Sequence, residues 1–154
     1  MASQAFDNVF SSTYKAYQVV IEYFWAAAQN DDTHIQFRYA GPTTYTSNYF
    51  GPAFTLSYTG SLTTANMNGT AAVVIGLDSG ATADNLSGNL FFTNVGQVAE
   101  RPYCYAETYN SLNASAQWSY AYNSSAGNNV TGFLIKSSSS NVTGAVAVYG
   151  LASA

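Results

Sequence analysis

Charged residues are scarce in this chain, making up 8% of its 154 residues against about 25% in ordinary soluble domains. The four basic residues are spread along the sequence, at Lys15, Arg38, Arg101 and Lys136, and the net charge is −4 at pH 7. A nucleic-acid-binding domain needs a basic patch to neutralise phosphates. The sequence therefore predicts no nucleic-acid partner.

Cysteine and histidine occur once each, as Cys104 and His34. A single cysteine excludes an internal disulfide framework, and one histidine cannot build a multi-histidine zinc site or complete a catalytic triad without partners. We interpret Cys104 as a structural side chain and His34 as a surface residue. No cofactor and no metal is predicted.

Long apolar runs are also missing. The longest, residues 19–28, contains Glu22 and is too short to span a bilayer, so no membrane insertion is expected. The first residues lack a basic region followed by an apolar run, so no signal peptide is predicted. We expect the chain to be made in a cytoplasm.

Apolar and aromatic residues are plentiful, at 47% and 16%, which is enough for a core. Side chains alternate along Tyr17–Trp25, His34–Tyr39, Arg101–Tyr109 and Ala114–Tyr122, and turn signals separate these segments. The pattern predicts an all-β fold: an antiparallel β-sandwich of jelly-roll type with roughly nine or ten short strands. Residues 1–154 are expected to form a single domain, with an N-terminal turn over about residues 1–14 packing on one end of the core.

Three local interpretations accompany this fold. Val130–Leu151 has two apolar runs around a Ser/Asn/Gly tract, which indicates a hairpin. Gly60–Gly69 resembles a polar loop. Gly51-Pro52 indicates a turn between two extended pieces, since proline cannot donate within a central ladder.

Several residues expected on outer sheet faces are apolar or small, although such faces are usually polar. This predicts an interface with another copy of the chain, and the alternative is a cover formed by a loop of the same chain such as Thr43–Gly69. The candidate interface residues are Val20, Phe24, Ala72, Val74, Ala145, Ala147 and Tyr149.

The acidic residues offer little catalytic chemistry. Glycosidases use two carboxylates about 5–9.5 Å apart, and Glu22 and Glu107 both lie on predicted strands and could face one cleft. Each acid stands alone in the sequence, so we predict that the chain is not an enzyme. Asp78, Asp84, Asn85 and Asn89 could offer oxygen ligands to calcium, but their spacing does not match the EF-hand loop and favours a solvated turn.

A tyrosine-rich region could instead form a recognition surface, because tyrosine supports adaptable contacts. The candidate residues for contact with a protein receptor or a glycan are Tyr39, Tyr45, Tyr49 and Tyr58. Structural packing is the alternative.

Three segments of the chain are distinctive. They are F-D-N-V-F-S-S-T-Y-K-A-Y-Q-V-V-I (Phe6–Ile21), H-I-Q-F-R-Y (His34–Tyr39) and G-F-L-I-K-S-S-S-S-N-V-T-G-A-V-A-V-Y-G-L (Gly132–Leu151). In that order they resemble the opening segment, the next strand and the closing motif of small β-sandwich proteins of tailed bacteriophages, notably marine ones.

The resemblance implies a non-enzymatic virion structural protein: a capsid decoration, a head-fibre subunit or a tail-fibre knob. It further implies a homo-oligomer, with a trimer favoured, that contacts other virion proteins. The alternative function is a receptor- or glycan-binding adhesin module for host attachment.

Overall fold

The computed structural model describes residues 3–27, 31–39, 43–76, 85–96, 101–111, 114–125, 129–138 and 141–152, which form an all-β protein. These residues contain no helix, and therefore none long and apolar enough to cross a membrane. The twelve strands are β1 (Ser3–Phe6), β2 (Ala16–Ala26), β3 (Thr33–Tyr39), β4 (Thr43–Thr44), β5 (Tyr49–Leu56), β6 (Leu62–Thr70), β7 (Val73–Gly76), β8 (Leu86–Thr93), β9 (Tyr103–Asn110), β10 (Ser115–Asn123), β11 (Val130–Ser137) and β12 (Val142–Leu151).

The described strands form two antiparallel sheets that enclose the hydrophobic core. The five-stranded sheet has the order β1-β11-β3-β4, with β7 also paired to β3, and the seven-stranded sheet has the order β12-β2-β8-β9-β10-β5-β6. Phe92 of the larger sheet contacts two rings of the smaller one, with centroids 6.0 Å from Phe37 and 5.3 Å from Phe133. The predicted antiparallel β-sandwich is therefore confirmed. A jelly roll has eight strands in two Greek keys, so that finer connectivity stays a prediction.

A bulge in β2 reverses part of the predicted alternation. The pairing of β2 with β12 shifts register at Glu22, which is the extra residue between Ile21 and Tyr23. A bulge of this kind moves every later side chain to the opposite face. As a result Phe24 points into the core, fully buried, whereas Tyr23 is exposed. The prediction that Phe24 lies on an outer face is wrong for this reason.

The predicted hairpin over Val130–Leu151 is also wrong. Strand β11 pairs with β1 and β3 in the smaller sheet, whereas β12 pairs with β2 in the larger one. The connection between them crosses from one sheet to the other. The prediction of which β12 side chains point to the core is nevertheless correct, because Val146 and Val148 pack against the core and Tyr149 is exposed.

One segment predicted as a polar loop and one predicted as a turn are strands. Leu62–Thr70 forms β6, where Met67 is buried against the core and most of the other side chains are exposed. Strand β5 runs through Gly51 and Pro52 between β10 and β6. Gly51 has a φ of +151°, and this glycine conformation lets the backbone of β10 approach closely.

The N-terminal segment, predicted as a turn, begins with strand β1. Phe10, which follows it, is buried, and its ring centroid lies 4.8 Å from that of Tyr17 and 5.0 Å from that of Phe92. The segment before β2 therefore contributes a ring to the shared core.

Buried polar side chains join the two sheets at β7. Ser119 Oγ donates a hydrogen bond to the Val74 carbonyl at 2.6 Å, and Gln117 Nε2 donates to the same oxygen at 3.2 Å. Thr108 Oγ1 donates to the Ile75 carbonyl. These side chains of β9 and β10 thus give the carbonyls of β7 hydrogen-bond donors from the opposite sheet.

The outer face of the five-stranded sheet is partly covered by the chain itself. Gln36 and Arg38 alternate outward from β3, yet both are buried. Arg38 Nε donates to Asp7 Oδ1 at 2.6 Å, and Gln36 Nε2 donates to the Ala71 carbonyl at 2.7 Å. Asp7 and Ala71 of the same chain therefore cover part of this face, and neither belongs to Thr43–Gly69, the segment that the sequence suggested as a cover.

Candidate functional site

The four tyrosines predicted as a recognition surface do not form one. Tyr49 is fully buried and Tyr45 is 8% exposed, so neither can contact a receptor in this conformation, and that part of the prediction is wrong. Tyr39 is half-buried and packs its ring 4.4 Å from that of Tyr45. Tyr58 is 78% exposed and lies beyond the end of β5. Packing, the alternative interpretation, describes Tyr45 and Tyr49.

Tyr49 has a structural role that could not be predicted from the residues around it in the sequence. Its hydroxyl accepts a hydrogen bond from the Phe37 backbone N–H at 2.7 Å and donates one to the Tyr45 carbonyl at 3.2 Å. Burial raises the pKa of this phenol well above its ordinary value. Tyr49 thus links the first residue of β5 to the opposite sheet.

The predicted subunit interface divides into two surfaces. Val20 and Ala147 pair directly on β2 and β12, at one end of the seven-stranded sheet, and Tyr149 follows on the same outer face. Val74 lies on β7 of the other sheet and Ala72 lies just before that strand, and both line a small pocket of about 270 Å³ beside His34. The structure therefore brings the first group together and separates it from the second. Ala145, the remaining predicted residue, lies on β12 with the first group.

His34 is more enclosed than a surface histidine would be. Its Nδ1 atom is buried without a hydrogen-bond partner. Burial lowers its pKa, an effect that the nearby Asp32 carboxylate opposes. Lys136 pairs directly with His34 across β11 and β3 and also lowers the pKa.

The other residues considered for catalysis or metal binding do not lie together in one site. Glu22 lies at the β2 bulge, and Glu107 lies on β9 with one strand between them in the sheet. Cys104 is fully buried, and burial raises the pKa of its thiol. Among the described residues no group of three or more His, Cys, Asp and Glu side chains could hold a metal ion. Asp78 and Asp84 lie outside the described residues, whereas Asn85 and Asn89 lie just before and on β8.

The largest feature that the sequence interpretation missed is the outer face of the seven-stranded sheet. Alternation along four neighbouring strands places aromatic side chains outward, and we call this surface the aromatic face. Its members are Phe91 on β8, Tyr103, Tyr105 and Tyr109 on β9, Trp118, Tyr120 and Tyr122 on β10, and Phe50 and Phe54 on β5.

Rings of the aromatic face contact one another across the strands. Phe91 and Tyr105 stack at 6.2 Å between centroids. Tyr103 lies 5.8 Å from Tyr120 and 5.9 Å from Tyr122. Such contacts hold large side chains in place on a surface that faces water. The aromatic residues at alternate positions were visible in each segment of the sequence. That they share one surface follows only from the order of the strands in the sheet.

Polar groups interrupt the aromatic face near its middle. Glu107 lies on β9, the central strand of the sheet, and pairs with Asn89 on β8 and with Trp118 on β10. Gln18 on β2 donates a hydrogen bond to Asn89 Oδ1 at 2.9 Å. Desolvation, and then the Glu107 charge, raise the pKa of the exposed Tyr105 phenol. The face thus combines exposed rings with a carboxylate and two amides.

Comparisons of this chain with protein-family models, with curated proteins and with solved structures find no match.

Proposed function

We propose that this chain is a non-enzymatic structural subunit of a tailed-phage particle, acting in assembly or stability as a capsid decoration, a head-fibre subunit or a tail-fibre knob. It works as a homo-oligomer, with a trimer favoured, and contacts other virion proteins. The resemblance of Phe6–Ile21 and Gly132–Leu151 to such proteins supports the virion setting. The edge that β12 forms in the larger sheet, among the residues that the structure describes, supports the assembly role.

The observation that carries the proposal is the position of β12. Within the described part of the chain, β12 pairs with β2 alone, so it forms one edge of the seven-stranded sheet. Its ten residues, V-T-G-A-V-A-V-Y-G-L, include no charge and no proline. Proteins that stay monomeric usually protect so long an edge with lysine, proline or a cover, because its unpaired backbone groups can pair with another chain.

The outer surface beside this edge suits a second copy. Val20 and Ala147 are half-buried apolar side chains on paired strands, and Tyr149 is exposed next to them. Small side chains let another backbone approach closely, and an amphipathic tyrosine is enriched at interfaces. A neighbouring subunit at this end of the sheet would satisfy the β12 edge and cover these residues together.

Sedimentation of the purified chain tests the assembly role. We expect an oligomer, and we expect Ala147→Lys to give single chains of 16.4 kDa, because a lysine there would be buried without a partner. Thr64→Lys on β6, at the opposite edge of the sheet, is the matched control and should leave the oligomer intact. Wild-type protein that sediments as one chain at all concentrations would contradict the proposal.

Electron microscopy of intact particles tests the virion setting. Particles labelled with an antibody to the chain should carry it at a regular position on the capsid, the tail or a fibre. Particles that bear no label, from cells that contain the protein in quantity, would exclude a structural role in the virion.

A further inference from the structure

Three exposed or half-buried aromatic side chains surround a single carboxylate at the centre of the aromatic face. Tyr105 is 36% exposed and precedes Glu107 by two residues, so both point outward from β9. On β10, Trp118 is directly opposite Glu107, and Tyr120, which is 46% exposed, is directly opposite Tyr105. The group is therefore compact and open to solvent.

This arrangement is poorly suited to burial against a second copy. Glu107 lies in the middle of β9, which is itself the middle strand of seven. A two-fold or three-fold axis through the centre of the sheet would bring the Glu107 carboxylates of the copies together, and like charges inside an interface are strongly unfavourable. At the end of the sheet, β12 itself carries no charged residue, and the one carboxylate beside it is Glu22 at the β2 bulge.

A neutral polysaccharide can contact both the aromatic rings and the polar groups of the face. Sugar rings present apolar C–H surfaces, which pack on exposed tyrosine and tryptophan rings, and hydroxyl groups, which donate to a carboxylate. Hydrogen bonds from hydroxyls to an ionised carboxylate are stronger than neutral ones. The amides of Asn89 and Gln18, joined to each other at 2.9 Å, add donors and acceptors beside the rings. An acidic polysaccharide would be repelled by Glu107 and by the net charge of −4.

The shape of the face favours a chain of sugars over a single sugar. Phe91, Tyr105 and Tyr120 form a row across three neighbouring strands, which are spaced about 4.8 Å apart. The row is an open surface, so it cannot enclose a small ligand. It can contact several consecutive units of an extended chain.

We propose that the aromatic face binds a neutral polysaccharide, with Tyr105, Trp118 and Tyr120 stacking on sugar rings and Glu107 accepting hydrogen bonds from hydroxyl groups. This binding site is separate from the β12 edge and does not depend on a virion location. It also differs from the tyrosines that the sequence indicated, two of which are buried.

Affinity electrophoresis of the full chain tests the proposal, with gels that contain laminarin, dextran or agarose oligosaccharides as neutral probes and alginate as the acidic probe. We expect at least one neutral probe to retard the chain and alginate to have no effect. Tyr105→Ala and Tyr120→Ala should each weaken binding by about tenfold, and Glu107→Gln should weaken it by a smaller factor. Tyr23→Ala removes a tyrosine that is 42% exposed on β2, outside the row, and should change nothing.

Thermal melting of each variant separates loss of binding from loss of folding, and exposed residues should have small effects on the melting temperature. Failure of every neutral probe to retard the wild-type chain would overturn the proposal. So would alginate binding as strongly as the neutral probes, or Tyr105→Ala and Tyr120→Ala binding like wild type. A third outcome would also overturn the proposal: the wild type binds no polysaccharide, and Tyr120→Ala sediments as single chains. The aromatic face would then be an interface between copies.

Discussion

The hydroxyl oxygen of Tyr49 lies 2.7 Å from the backbone nitrogen of Phe37, and this hydrogen bond joins the two sheets of the sandwich. The two rings also meet edge to face, with centroids 5.4 Å apart. A buried N–H of β3 is thereby satisfied by a side chain of β5. Both ends of the contact are fully buried.

Removing the Tyr49 hydroxyl should destabilise the fold while leaving the ring in place. Tyr49→Phe leaves the Phe37 N–H buried without an acceptor, so we expect a loss of about 1–3 kcal/mol in the free energy of unfolding. Urea denaturation measures it. Tyr120→Phe, on the exposed face, is the control and should stay within about 0.5 kcal/mol of wild type. Equal effects of the two variants would contradict the assigned role.

Stability should fall in alkaline solution because burial raises the pKa of both Cys104 and Tyr49. The folded state keeps protons that the unfolded state releases above about pH 8.5 for cysteine and about pH 10 for tyrosine. The protonated thiol and phenol each contribute fully to the free energy of unfolding below the pKa that the group has in the unfolded state. Above that pKa the contribution is lost as the pH rises, by about 1.4 kcal/mol per pH unit for each group.

Urea denaturation between pH 7 and pH 11 measures this dependence. Cys104→Ala should remove the decline that begins near pH 8.5, and Tyr49→Phe should reduce the further decline above pH 10. An unchanged pH profile in Cys104→Ala would show that the thiol does not titrate in this way.

The polar link from β10 to β7 should contribute to stability as a buried hydrogen bond does. Ser119→Ala removes the donor that lies 2.6 Å from the Val74 carbonyl, with an expected loss of about 1–2 kcal/mol, since Gln117 still donates to that oxygen. Ser87→Ala, outward on β8, should be nearly neutral. A double variant of Ser119 and Gln117 should cost more than the sum of the single changes, which a double-mutant cycle reveals.

Gly51 should tolerate no side chain. A Cβ atom there would meet the carbonyl oxygen of Tyr120, and the φ of +151° is unfavourable for any other residue. We expect Gly51→Ala to lower the free energy of unfolding by about 3 kcal/mol or more, measured by urea denaturation. Gly60→Ala is the control, because a Cβ at Gly60 would meet no atom within 4 Å, and the expected loss is about 1 kcal/mol. A neutral Gly51→Ala would contradict the close approach of β5 and β10.

Strands with uninterrupted alternation were predictable from the sequence. His34–Tyr39, Arg101–Tyr109 and Ala114–Tyr122 correspond closely to β3, β9 and β10, because a period of two is the direct signature of a half-buried strand. Strand β6 was not predictable in the same way. It is an edge strand with little buried surface beyond Met67, so it carries almost no periodic signal.

Which sheet a strand joins, and which face of that sheet a side chain lies on, depend on information that local sequence patterns do not contain. The Ser/Asn/Gly tract after β11 is compatible with a hairpin or with a crossover, and only the distant partners of β11 and β12 decide between them. The bulge at Glu22 likewise has no sequence signal, yet it sends Phe24 into the core. The aromatic face escaped prediction because its members come from four strands whose order in the sheet was unknown.

The pairing of β1 with β11 and of β2 with β12 has a consequence for how fast the protein folds. Phe6 pairs with Phe133 and Ala26 pairs with Val142, so each sheet joins residues from opposite ends of the sequence. Closing such long loops costs chain entropy before any contact compensates for it, and folding rates fall as contacts become less local. We therefore expect refolding on the slow side for a protein of this size, and a fragment that stops before β11 would leave both β1 and β2 without these neighbours.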